Sequence, residues 1–463
     1  MMLKVLISLF VIILYAYLFK KAGGSVKLVK LNIISFSFYL LLFTSLIGGI
    51  AIFLGFRNHY VILSLSEEVA NKGFYIIAYS LLALPFLVVV FNRLLGIRNY
   101  EAFFSNYIRK PIEYSERGQG AVLSISVIIT MMCFASVVYT LYYVGFIPLI
   151  EVLKGNFSNL QSGVAITRGF GGNVYIRNIF AIGFTPIFSY FTYIYYYYTK
   201  KKIWKWQFVF LFILSILIKT YDLSKAPVII YLFFFYFIQV LVSNSGSLKK
   251  VIRYGLIAFV IILVFYYVLL GYAGSFFSLT NGPMSRIVIS QIAGLFKHVE
   301  IFPSRHSYLN GASFPKSLAL LIGAKEYGQR SGRIVMSILY PSSVADNTSG
   351  VMNTLFAAEA YANYGIIGVV LAPIVVAFCI SVLPNFVLKQ RKTPMNMTIY
   401  VLFAYTYTNC LIGGFVDYLY NPVLIVLLFM FLIIKCFINS GIIHIKYKQE
   451  EDLTCILEQL EAR

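Results

Sequence analysis

The sequence predicts an all-α polytopic membrane protein of about 11 transmembrane helices with a long, partly helical extracytoplasmic loop. Three observations predict it. Hydrophobic residues fill 60% of the 463 positions and charged residues only 12%, too few to coat a soluble globule with polar surface. Apolar runs of about 20 residues recur, each long enough to cross a hydrocarbon core of roughly 30 Å as a helix whose backbone groups satisfy one another. Basic residues alternate from side to side of these runs, as the cytoplasmic retention of Lys- and Arg-rich loops demands.

The spans read at 3–19, 31–55, 74–92, 121–144, 178–198, 207–218, 226–243, 254–270, 360–384, 396–414 and 421–440, the sixth being short. They divide the chain into residues 1–270 with the first eight helices, a loop at 271–354, residues 355–440 with the last three helices, and a tail at 441–463. No internal repeat and no Pro- or Ser-rich linker interrupts this order. Of the 38 Lys and Arg, 23 fall in the odd-numbered loops and the C-terminal tail, and eight fall in the N-terminus and the short loops opposite. The N-terminus is therefore expected outside and the C-terminus inside. The first run precedes its basic cluster and lacks a small-residue cleavage site, so it is read as a retained helix.

The net charge of +21 sits mostly in cytoplasmic loops, where orientation and anionic headgroups account for it without nucleic acid. Cys133, Cys379, Cys410 and Cys436 lie in spans and Cys455 in the tail, so no outward loop offers a disulfide. The tail's Leu453, Ile456, Leu457 and Leu460 form a helical apolar stripe.

The loop at 271–354 far exceeds the other connections, and such loops carry function. Val288, Ile292, Leu295, Phe296 and Val299 fall at helical spacing, with Arg286, Lys297 and Glu300 elsewhere on the circumference. That pattern predicts an amphipathic helix lying in the outer headgroup plane. Leu318–Ala324 and Ile334–Tyr340 are too short to span and read as half-buried or re-entrant pieces.

Acidic residues number 17, with no Asp-x-Asp pair, His-Glu-x-x-His, Gly-rich phosphate loop or Cys/His cluster, so neither a metal nor a nucleotide cofactor is expected. The outward face is basic instead: Arg286, Lys297, Arg305, Lys316, Lys325, Arg330 and Arg333 face only Glu300, Glu326 and Asp346 in the long loop. Guanidinium groups fork onto phosphate oxygens and stabilise charge growing on a departing diphosphate. Arg168, Arg177, Arg286, Arg305, Arg330 and Arg333 are candidates for that task, with headgroup anchoring as the alternative. Outward Tyr308, Tyr327, Tyr340 and Tyr361 are candidates for sugar stacking. Gly365 and Gly368 suit close helix approach, and Pro373 is expected to kink the same helix.

The run Thr354-Leu-Phe-Ala-Ala-Glu-Ala-Tyr-Ala-Asn-Tyr-Gly-Ile-Ile-Gly368 opens a late span after the long outward loop. It resembles the Glu-x-Tyr-x-Asn-aromatic-Gly-x-x-Gly signature of oligosaccharide repeat unit polymerases, the O-antigen polymerase or Wzy family. Phe302-Pro-Ser-Arg-His-Ser-Tyr-Leu-Asn-Gly-Ala-Ser-Phe314 resembles the Pro, Tyr and Gly pattern upstream of that signature. Lys225-Ala-Pro227 and the loop holding Arg168 also fall where the family has them, whereas an Arg followed eleven positions later by Gly, found in some members, is absent.

The resemblance implies a bacterial inner-membrane enzyme that transfers a glycan from undecaprenyl diphosphate to a second lipid-linked repeat unit. It implies no cofactor, and as partners the lipid-linked donor and acceptor, membrane lipid and a chain-length regulator. It adds Lys225 and Asn363 to the binding candidates. Glu359, His306 and Asp346 are the candidate proton acceptors. Each has another reading: a carboxylate on a helix dipole for Glu359, an interfacial histidine for His306, and a turn former for Asp346. Asp417 is positioned to pair with a loop arginine. An O-antigen ligase and a lipid-linked oligosaccharide flippase remain open alternatives.

Overall fold

A computed structural model describes residues 1–115, 119–147, 150–151, 154, 169–221, 226–243, 247–263, 274–346, 348–439 and 445–446. Arg168, Lys225 and the apolar stripe of the tail lie outside the described residues. In chain order the first long helices are α1 (Met2–Gly23, followed by a short turn at Leu28–Lys30), α2 (Ile33–Phe53), α3 (Glu67–Leu94), α4 (Gln119–Val144) and α5 (Ile176–Thr199), with a shorter helix at Tyr100–Arg109 between α3 and α4. They are followed by α6 (Lys202–Lys219), α7 (Ala226–Val242) and α8 (Leu248–Leu263). The long loop contributes α9 (Gln291–Ile301), α10 (Lys316–Leu321) and α11 (Ser331–Leu339). The chain then forms α12 (Phe356–Lys389), α13 (Pro394–Cys410) and α14 (Val416–Cys436). One short antiparallel pairing, Tyr114 opposite Lys446, is the only strand pairing among the described residues.

Seven of these, α1 to α5, α12 and α14, are long and apolar enough to cross a membrane. The chain is a helical, multi-pass membrane protein. The other predicted spans are also helical but shorter or more charged: α7 and α13 have 17 residues each, and α6 carries Lys202, Lys205 and Lys219 within 18. The sixth helix begins at Lys202, earlier than the hydropathy suggests, because lysines at a helix start do not break the backbone ladder.

Local signals explain several ends. The Asn32 side chain accepts from Ser35 N–H at 3.0 Å while Ser35 Oγ accepts from Asn32 N–H at 2.8 Å, a reciprocal cap that starts α2. Ser66 caps α3 through Val69 N–H at 3.3 Å, and Thr393 caps α13 through Asn396 N–H at 3.1 Å ahead of Pro394.

The long loop overturns one expectation. Where a helix with one exposed polar face was expected, nine of the 11 residues of α9 are buried, Lys297 and His298 among them, and it packs against α3, α11 and α12. The apolar stripe is real, but the polar side is also satisfied internally. Lys297 Nζ pairs with Glu300 Oε2 at 2.6 Å, and His298 is bonded on both ring nitrogens. A charge that carries its own partner can enter the core. The two short apolar runs are the helices α10 and α11, with Ala319 and Val335 turned inward.

α12 is broken, though not where Pro373 predicts. Tyr364 (φ −135°, ψ 18°) and Gly365 (φ 58°, ψ −139°) leave helical geometry, dividing α12 into a first half through Asn363 and a second half from Ile366. The freed carbonyls of Ala362 and Asn363 accept from Leu309 N–H at 2.9 Å and Asn310 N–H at 3.0 Å. Gly365 is required twice over, by its positive φ and because a Cβ there would meet the Tyr308 ring at 3.0 Å. Gly365→Ala is expected to destabilise the folded protein by about 1–3 kcal/mol, read as a fall in thermal midpoint in detergent; an unchanged midpoint would sink the break.

Candidate functional site

The first half of α12 brings the signature residues to the loop. Glu359 lies in the first turn, whose N–H at Phe356 donates to Leu411 O at 3.0 Å. Its carboxylate accepts through Oε2 from Val416 N–H at 3.0 Å and from Arg330 Nη2 at 3.3 Å, while Arg330 Nε stands 2.9 Å from Oε1 in an ion-pair contact. Arg330 also forks onto Asp417, Nη1 to Oδ1 at 2.8 Å and Nη2 to Oδ2 at 3.2 Å. The loop, α12 and the start of α14 are thus joined by one guanidinium. Burial would lower the Arg330 pKa, but Asp417 and Glu359 outweigh it and hold the group firmly protonated. Gly414 sits where any Cβ would run into Arg330 and Glu359, at φ 152°. No glycine motif marks this role; only the fold reveals it.

Beside the bridge, His298 Nδ1 lies 2.7 Å from Gly294 O. A carbonyl only accepts, so Nδ1 carries the proton and Nε2 accepts from Ser331 Oγ–H at 3.1 Å. Both face a cavity of about 10 Å³, close to one water molecule in size, shared with Glu359 and Thr354. His298 and Ser331 were not singled out by the sequence, since a lone His inside a periodic helix and a Ser at a helix start carry no spacing signal.

A second cluster forms around Tyr361. Its hydroxyl donates to Phe302 O at 3.2 Å, its ring meets Tyr308 edge-on at 5.8 Å, and Lys72 Nζ stands 5.3 Å over it. Asn363 is buried, donating to Ser313 Oγ at 2.7 Å and Glu359 O at 2.8 Å while accepting from Gly311 N–H at 3.1 Å. Tyr361 and Asn363 therefore hold the loop against α12, and both are fully buried. Phe302 packs edge-on against His306 at 5.3 Å. His306 is half-buried, with Nδ1 2.8 Å from Ser307 O, which places the proton on Nδ1 and leaves Nε2 as the free acceptor.

The other candidates disperse. Arg333 Nη1 donates to Ser349 O at 3.1 Å and Gly350 O at 3.3 Å, with no carboxylate beside it among the described residues. Arg305 is exposed and reaches Glu300 at 3.1 Å. Arg286 is exposed without an ion pair among the described residues. Arg177 lies 4.5 Å over the Phe170 ring and bonds Asn178 at 3.0 Å, on α5 and away from the motif in sequence. Asp346 is exposed at the end of a five-residue helix. Among the described residues no group of three metal-ligating side chains converges.

Two outcomes test this geometry. Arg330→Ala leaves Glu359 buried without its counter-charge and is expected to cost about 3–5 kcal/mol, with Arg330→Lys a poor substitute because it cannot fork and Glu359→Gln added to Arg330→Ala recovering part of the loss in thermal denaturation. Burial, partly opposed by the Gly294 carbonyl, pushes the His298 pKa down from 6.5 to about 4. The unfolded chain then binds the proton first as pH falls, so stability is unaffected above pH 6.5 and declines toward pH 4, by about 3 kcal/mol in all. His298→Asn should remove that slope.

Compared with protein-family models, with curated proteins and with solved structures, the chain has no match.

Proposed function

We propose that this membrane protein is a metal-independent glycosyltransferase that polymerises undecaprenyl diphosphate-linked oligosaccharide repeat units on the outer side of a bacterial inner membrane. In this reading all 11 predicted segments span, with the N-terminus outside and the C-terminus cytoplasmic. The charge alternation of the short loops supports that orientation.

The observation that carries the proposal is the way the signature segment and the loop motif fold onto each other. Leu309 to Gly311 hydrogen-bond the broken end of α12, so the two stretches on which the family resemblance rests make one structural unit. On its accessible side stand His306, Tyr308 and Lys72; on its buried side stands the Arg330 bridge.

Chemically, an acceptor hydroxyl attacks the anomeric carbon of the donor. The new C–O bond forms as the bond from that carbon to the diphosphate oxygen breaks, and the polyprenyl diphosphate leaves with the bonding electron pair. The hydroxyl proton passes to His306 Nε2, which has no partner among the described residues and belongs to the loop motif whose Leu309 and Asn310 bond the end of α12. Glu359 is a positioning group instead, since Arg330 and Val416 N–H already hold it. Arg305 and Arg333 supply positive charge near the leaving group.

The size distribution of surface glycan in a deletion strain tests the reading. A single repeat unit on its normal acceptor is expected; long chains left on the carrier would mark a ligase, and units trapped on the cytoplasmic face a flippase. With the purified full chain, His306→Gln is expected to slow polymer formation by roughly 100-fold or more at an unchanged thermal midpoint. Full activity would overturn its role as base.

A further inference from the structure

The break in α12 creates a feature that the chemistry above does not use. Between α3 and the second half of α12 runs a groove of about 470 Å³, within the range of ligand sites. Tyr75 and Tyr79 form one wall, one helical turn apart, and Ile366 and Val370 form the other, again one turn apart. All four are exposed on helices long and apolar enough to span a membrane, so the groove opens sideways into hydrocarbon. Its character changes at one end. There lie Glu68, Asn71 and Lys72, in the first two turns of α3.

That end has unused polar capacity. Asn71 Oδ1 is buried and accepts no hydrogen bond from a described residue. Lys72 is exposed and makes no ion pair among the described residues, its Nζ resting instead over the Tyr361 ring. The position is sheltered by Tyr361, which Tyr308 abuts, so the polar end meets the unit that carries His306. A trough that is apolar along its length, with a cation at the polar end, fits a lipid with an anionic headgroup. The two acceptors beside the cation refine the match. A carboxylate and an amide oxygen repel or ignore phosphate but accept hydrogen bonds from hydroxyls.

We propose that this groove is the seat of one lipid-linked glycan substrate: the polyprenyl chain lies between α3 and the second half of α12, Lys72 meets its phosphate, and Asn71 and Glu68 take hydroxyls of the first sugar. The proposal rests on the polymerase reading for the identity of the sugar-bearing lipid. It adds where that lipid enters, laterally from the bilayer, and which residues receive it. The occupant is a single-chain lipid phosphate rather than a two-chain phospholipid, because the site is one trough between two helices and its polar end presents one cation.

The test uses the full chain purified in detergent and a C55 polyprenyl phosphate as probe, with phosphatidylglycerol and inorganic diphosphate as competitors, binding being read by native mass spectrometry. Val370→Trp and Ile366→Trp fill the exposed wall without touching the buried core, and Lys72→Gln removes the cation. Retention of the polyprenyl phosphate is expected to fall about tenfold in each, with unchanged thermal midpoints, and phosphatidylglycerol at equal concentration should not displace the probe. Undiminished retention in the tryptophan variants overturns the groove, as does equal displacement by phosphatidylglycerol, which would mark an ordinary annular lipid site; displacement by inorganic diphosphate that persists undiminished in Lys72→Gln would place the anion site elsewhere and overturn it too. A deletion strain with normal glycan length sinks the polymerase reading while leaving a groove-dependent loss of retention intact, so the two fail separately.

Discussion

A helix that breaks inside the protein must find donors for the carbonyls it releases, and where water is excluded only the protein itself can supply them. In α12 those carbonyls are Ala362 and Asn363, and the donors are the N–H groups of Leu309 and Asn310. Much of the architecture follows from this pairing. It requires the loop to return to α12, it requires Gly365 to take a positive φ beneath the Tyr308 ring, and it uses Asn363 as a bracket between Ser313, Gly311 and Glu359. His306 and Tyr308 keep their positions because the strand that carries them is pinned at Leu309.

The Arg330 bridge closes the other end of the same unit. A guanidinium shared by Glu359 and Asp417 ties the loop to two further helices, and Gly414 leaves the room it needs. A buried ion pair of this kind adds little net stability over an apolar replacement, yet losing one partner is severe. Its contribution is geometric: it sets the register of loop, α12 and α14 against one another. The arginine that stood out in the loop is thereby committed to holding the scaffold, while Lys72 and Arg333 are cations without carboxylate partners among the described residues.

The burial of α9 shows how a loop can hold a core of its own. Lys297 and His298 enter the interior with Glu300, Gly294 and Ser331 as partners, and α9 becomes the surface on which α3, α11 and α12 meet. The groove between α3 and α12 exists because the second half of α12 departs from the first at Gly365.

Hydropathy alone determined the membrane class and the approximate position of the long apolar helices, because span length is set by the bilayer and acts on each segment separately, whereas the shorter helix Tyr100–Arg109 gave no such signal. Asp417 was likewise legible as a partner for a loop arginine. What periodicity could not decide was which face of α9 met water, since an internal partner for Lys297 turns an interfacial pattern into a core one. Nor could it place the break of α12: Pro373 stays within the helix, while Gly365 breaks it with help from Tyr308, a residue more than fifty positions away. The pairing of Arg330 with both Glu359 and Asp417, the tautomers of His298 and His306, and the groove beside Lys72 were decided only by tertiary structure, because each depends on groups distant in sequence meeting in a medium that leaves polar atoms no other partner.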